Sequence, residues 1–170
     1  MGGSDLDVIS VQAARPVTCG HEAAHCLTAL ALAVPVLRVD ARPPDPHTYL
    51  AWPPYQPRVW GPVLIAGYVW EDMTGWPHAG RAARDDLDQV VALMPWCSLP
   101  EARATALELL TVHAAKHAHL AAVLGRAGQL SGPEVAAWWY GRRELPSRSA
   151  TDSPGAPGDH DSAPTASSRV

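Results

Sequence analysis

The chain has 170 residues, 47% of them hydrophobic, and a formal net charge of −4. That length can bury a core without disulfides or a structural metal, and the acidic balance supplies no broad basic surface to track nucleic-acid phosphates, so no nucleic-acid partner is expected. The hydrophobic content rests on Ala, Leu and Val, with seven Trp and no Phe, which favours helices over a β-sandwich.

The odd set of Cys19, Cys26 and Cys97, with no basic-then-apolar leader after Met1, points to the cytoplasm. The longest apolar runs, such as Leu27 to Leu37, are too short to span a bilayer, so no membrane anchor is expected.

In chain order, a first helix is predicted from Val17 to Val34, with Pro16 at its start and Pro35 beyond its end. Val36 to Ala41 alternates as a strand does. P-P-D-P at Pro43 to Pro46 is a turn, and Thr48 to Trp52 can return as a second strand, making a small β-hairpin. Gly61-Pro62 starts a second helix that stops at Gly75, and a loop then runs to Arg84. Asp85 and Asp86 open a third helix reaching Met94, since acidic residues suit a helix N-terminus.

From Pro100 a single long amphipathic helix is predicted to end near Gly125 and Gly128, followed by a short last helix capped by Ser131. Beyond Leu145 the chain turns to Ser, Pro, Gly, Thr and Asp, with almost nothing to bury. The expected organisation is one mainly α domain with a small β-hairpin over 1–145 and a disordered tail over 146–170.

The stretch C-G-H-E-A-A-H-C, Cys19 to Cys26, carries the chemistry. His21 and His25 are four apart, which on a helix sets both imidazoles on one face within reach of one tetrahedral Zn²⁺. Glu22 can then take a proton from zinc-activated water. Cys19 and Cys26 are rotated away from that face by helix geometry and read as small buried hydrophobes; Cys97 reads as structural.

A third ligand is still needed, and Glu71, Asp85 and Asp86 are the carboxylates that stand next to apolar sequence. Periodicity does not select among them. The run His113, His117, His119 has no glutamate and includes Lys116, so it reads as a solvated helix face. His47 and His78 are placed in loops, His78 as a substrate-contact or alternative ligand candidate, and His160 in the tail.

The order H-E-A-A-H, the strand V-L-R-V, then A-G-Y-V-W-E-D, then D-D-L-D-Q-V-V-A-L resembles the protease domain of the FtsH-type ATP-dependent zinc metalloproteases, over Val17 to Met94. The resemblance implies a zinc site of His21, His25 and Asp86, with Glu22 as general base and Glu71 near the metal or supporting a ligand histidine. Asp85 stays a rival of Asp86, because R-A-A-R precedes the pair where the family has G-A and two small or polar residues.

Two departures bear on activity. Ala24 replaces the family's glycine and adds a methyl near the ligand turn. The 170 residues hold no Gly-rich phosphate loop, so the expectation is an ATP-independent metallopeptidase acting on a peptide or protein, with Val36 to Ala41 as an edge for strand addition. The alternative is a catalytically degenerate relative serving as a protein-interaction module; a third reading is another HExxH peptidase type whose third ligand is a Glu or His.

Overall fold

The structure, a computed structural model, describes residues 5–51, 56–76, 81–92 and 98–146, and the side chains of these from residue 16 onward except 57 and 81–83. Six helices and three strands follow among them in the order α1 (Asp5–Ala31), β1 (Val36–Asp40), β2 (His47–Leu50), α2 (Pro57–Thr74), α3 (Arg81–Ala92), α4 (Leu99–Val112), α5 (Ala114–Ala127), β3 (Gln129–Ser131) and α6 (Gly132–Trp139). The protein is mainly helical with a small antiparallel sheet. No helix among the described residues is long and apolar enough to cross a membrane.

Helix α1 is the axis of the fold, buried on every side from Cys19 to Leu30. One side, through Cys19, Ala23, Cys26 and Leu30, packs with Val39, Leu120, Leu124 and Val135. The other, through Ala24 and Leu27, packs with Ile65, Val69, Val90 and Leu110 from α2, α3 and α4. Burying a side chain the size of Leu27 contributes about 1.5–3 kcal/mol. Cys19 and Cys26 are buried, as expected, and neither is in a disulfide. Burial, with the charge of Glu22 adding to it, pushes the Cys26 thiol up and keeps it neutral.

The first helix is longer than its predicted span and begins at Asp5, so that Pro16 lies inside it. It ends at Ala31 in a Schellman motif: Val34 N–H donates to Ala29 O at 2.8 Å and Ala33 N–H to Leu30 O at 3.1 Å. Ala33 takes the left-handed conformation, φ 57°, where glycine is the usual residue, which is why the sequence showed no stop before Pro35.

The predicted hairpin forms, with Val39 opposite Thr48 and Asp40 opposite His47. The third strand was not foreseen: β3 pairs antiparallel with β1, Val39 opposite Leu130, giving the order β2-β1-β3. β1 is therefore the central strand, and among the described residues the edges of the sheet are β2 and β3, not β1 as expected. Three residues are too few for alternation to register. Asp40 closes the ribbon against Arg42, whose Nη2 donates to it at 2.6 Å.

Helix α2 starts four residues before Gly61, with Pro57 in the first-turn position assigned to Pro62, and Pro62 lies within it; Gly75 caps its end at φ 69° as predicted. Helix α3 takes in Arg81 to Arg84, expected as loop, so Asp85 and Asp86 fall in its second turn and are not its N-terminal charges. The single long helix is two, broken at His113, where neither glycine nor proline marks the join; Gly125 lies inside α5 and Gly128 caps it at φ 73°. Ser131 caps α6 in a full capping box with Glu134. His78, Cys97, His160 and the predicted tail apart from Pro146 lie outside the described residues.

Candidate metal centre

The crossing of α1 and α2 builds the site. His21 and His25 project from one face of α1 at a spacing of four, and α2 answers with Val63, Gly67 and Glu71, also four apart. Rows of residues at this spacing interdigitate when two helices cross. Small residues let them approach: a Cβ at Gly67 would lie 2.6 Å from His21 Nδ1, and Trp70 occupies the space where Gly20 has no side chain.

Each imidazole is held by its outer nitrogen. His21 Nδ1–H donates to Glu71 Oε1 at 2.8 Å, and His25 Nδ1–H donates to the Val63 carbonyl at 2.7 Å. A carbonyl can only accept, and the Glu71 carboxylate does the same, so in the neutral rings both Nε2 atoms carry lone pairs. These nitrogens face each other at 3.1 Å, and Asp86 Oδ2 lies 3.1 Å from each. Three basic atoms in an equilateral triangle, all from buried residues, require a positive charge between them.

The electrostatics agree. Burial by itself would lower the pKa of His21, but hydrogen bonds to Asp86 and Glu71 and the charges of Asp86 and Glu22 override it and push the value up to about 10. Burial opposes and Asp86 drives a rise at His25 as well. Burial would raise Asp86, yet the adjoining histidines hold its carboxyl far below the usual range. His21, His25 and Asp86 form a buried group that could hold a metal ion: the three donors converge with their lone pairs inward, and the outer bonds to Glu71 and Val63 fix ring orientation in the way metal-binding histidines require.

Asp85, the rival carboxylate, is exposed and lies outside the triangle, on the wall of the adjoining cleft. Because α3 begins at Arg81, Asp86 shares the inner face with buried Val90, one turn on, while Asp85 points away. Glu71 is a hydrogen-bond partner of His21 and not a member of the triangle. Glu22 is buried, and its Oε2 accepts from Thr48 Oγ1 at 2.8 Å. The Ala24 methyl is fully buried in the apolar cluster with Ile65 and Ala66.

A cleft of about 840 Å³ opens onto the triangle, with Glu22 on its floor and β2 along one wall, where Thr48, Tyr49 and Leu50 line it opposite Leu64, Asp85 and Gln89. His47 is on this strand and not in a loop.

His117 is not on a solvated face. It is buried, donates Nε2–H to Gly20 O at 2.8 Å, and packs against Trp70, ring centres 5.4 Å apart. The α5 face that carries Leu120 and Leu124 turns it toward α1. Burial lowers its pKa, against a smaller opposing effect of the Gly20 hydrogen bond. A depressed folded pKa gives stability that is fully present above the unfolded histidine's value of about 6.5 and is lost as pH falls through the lower folded value. Urea unfolding at pH 7.5 and pH 5 should accordingly show wild type losing stability relative to His117→Gln on acidification; parallel losses in the two proteins would contradict a neutral buried His117.

Thr48, Gly67, the Val63 carbonyl and His117 were not read as site residues. Gly67 left a signal, an isolated glycine in a helical pattern, which marks close packing. A backbone carbonyl leaves none. Compared with protein-family models, curated proteins and solved structures, the chain finds no match.

Proposed function

We propose that this protein is a zinc-dependent, ATP-independent metallopeptidase of the kind its sequence resembles, the FtsH-type protease domain. The observation that carries the reading is the triangle of His21 Nε2, His25 Nε2 and Asp86 Oδ2 at 3.1 Å spacing beside a buried carboxylate that is not part of it. Ligands of a tetrahedral zinc at about 2.0–2.1 Å stand roughly 3.3 Å apart, close to the spacing found. Two nitrogens and one carboxylate oxygen with an open side toward a cleft match a catalytic donor set more than a closed structural one.

Zinc held there would supply an activated water and a polarised substrate carbonyl. Glu22 takes the water's proton at its carboxylate and returns it to the leaving amine nitrogen, so that one C–N bond breaks as one C–O bond forms. Glu71 and the Val63 carbonyl keep His21 and His25 in the tautomer that presents Nε2. An extended peptide lies along the free edge of β2, the strand that borders the cleft, with main-chain hydrogen bonds as its anchor. The buried thiols and odd cysteine count suit a cytoplasmic enzyme. The packing of Ala24 in the apolar core supports a working centre over a degenerate one.

The test is zinc content together with cleavage of a peptide library. Wild type should hold about one zinc per chain and cleave, and Glu22→Gln should keep the zinc while cleavage falls by a factor of roughly 10² to 10⁴. A wild-type chain that takes up no zinc, or a Glu22→Gln protein that cleaves as well as wild type, would overturn the proposal.

A further inference from the structure

Among the described side chains, Thr48 of β2 is the one that hydrogen-bonds the Glu22 carboxylate. Along β2 the side chains alternate, His47 and Tyr49 outward and Thr48 inward, so the strand that offers its edge to the cleft also aims a hydroxyl at α1. Thr48 is buried. Its Oγ1 lies 2.8 Å from Glu22 Oε2 and 3.1 Å from the Glu22 carbonyl oxygen. A hydroxyl has one proton to donate, and the nearer, charged oxygen is the stronger acceptor.

We infer that Thr48 is a positioning residue for Glu22: its hydroxyl pins Oε2 and so fixes the carboxylate plane, leaving Oε1 to face the water that the reaction deprotonates. The inference rests on the peptidase reading for its catalytic meaning, and on geometry alone for the contact. It makes the placing of the base depend on two elements, α1 for its backbone and β2 for its oxygen. A carboxylate on two rotatable bonds above its Cβ otherwise samples several rotamers, and a misplaced base loses turnover without weakening substrate binding.

Thr48→Val keeps the shape and removes the donor, whereas Thr48→Ser keeps the donor. In zinc-loaded protein, Thr48→Val should lower kcat about 10- to 100-fold on a library-selected peptide, with KM within about twofold and zinc content unchanged, and Thr48→Ser should recover kcat to within about threefold of wild type. A Thr48→Val enzyme with wild-type kcat, or a Thr48→Ser enzyme as slow as Thr48→Val, overturns the inference.

A second measurement is independent of peptidase activity. In metal-free protein, urea unfolding of wild type, Thr48→Val, Glu22→Ala and the double variant should show the two residues coupled by about tenfold in the unfolding constant. Coupling within about twofold of unity overturns the inference even in a protein that cleaves nothing. Wild type that cleaves no peptide yet shows the coupling sinks the peptidase reading and leaves the contact standing.

Discussion

Gly67→Ala is expected to weaken metal binding by more than about a hundredfold, although Gly67 offers no ligand atom. The added Cβ would lie 2.6 Å from His21 Nδ1, well inside van der Waals contact. It would also stand at the nitrogen that donates to Glu71. The ring must move, and with it Nε2 leaves the triangle and Nδ1 leaves Glu71. Loss of an outer hydrogen bond alone costs a factor of about 10 to 100, and displacement of the ligand adds to that. Titration with zinc against a competing chelator measures the effect. Gly125→Ala is the control: it lies within α5 with nothing within 4 Å of the new methyl, and should leave metal binding intact while gaining about 0.5–1 kcal/mol of stability. Wild-type metal affinity in Gly67→Ala would show that His21 does not depend on the space this glycine leaves.

The second large effect separates two neighbours. Asp86→Ala removes one of three donors and should weaken metal binding by more than the hundredfold upper range for a supporting residue. Asp85→Ala, one residue away on the exposed side of α3, should stay within about threefold of wild type. The same competition titration decides it, and equal losses in the two variants would mean that α3 presents a different face to the centre. Asp86→Ala also leaves His21 and His25 without the carboxylate that raises their pKa, so its metal-free form should bind fewer protons at neutral pH.

What could be read from the chain follows from where the information resides. His21, Glu22 and His25 lie within one helical turn, and their relation needs nothing beyond helix geometry. Asp86 is sixty-one residues from His25 and is joined to it only by tertiary packing. The resemblance pointed to it. Periodicity could have done so too had α3 been started at Arg81, because Asp86 then precedes Val90 by one turn on the buried face. The hairpin was legible from alternation and a Pro-rich turn. β3 was not, because three residues carry too little pattern. His117 misled by composition: a run with lysine and histidines reads as solvated until α5 is seen to turn that one position inward. The end of α1 was hidden by an alanine at a left-handed position that a glycine would have advertised.

The stripe on α2 has a meaning for the sequence pattern. Of its three positions, Glu71 must accept from a ring nitrogen and Gly67 must leave room, so both are fixed in kind; Val63 contributes a main-chain oxygen, and its own side chain is fixed only by the apolar core in which it is buried. The centre therefore tolerates exchange among apolar residues at the first position while it asks for H-E-x-x-H on one helix and G-x-x-x-E on the next. The two phrases together are more selective than H-E-x-x-H alone, because they ask for a gap and an acceptor one turn apart on the helix that faces the histidines.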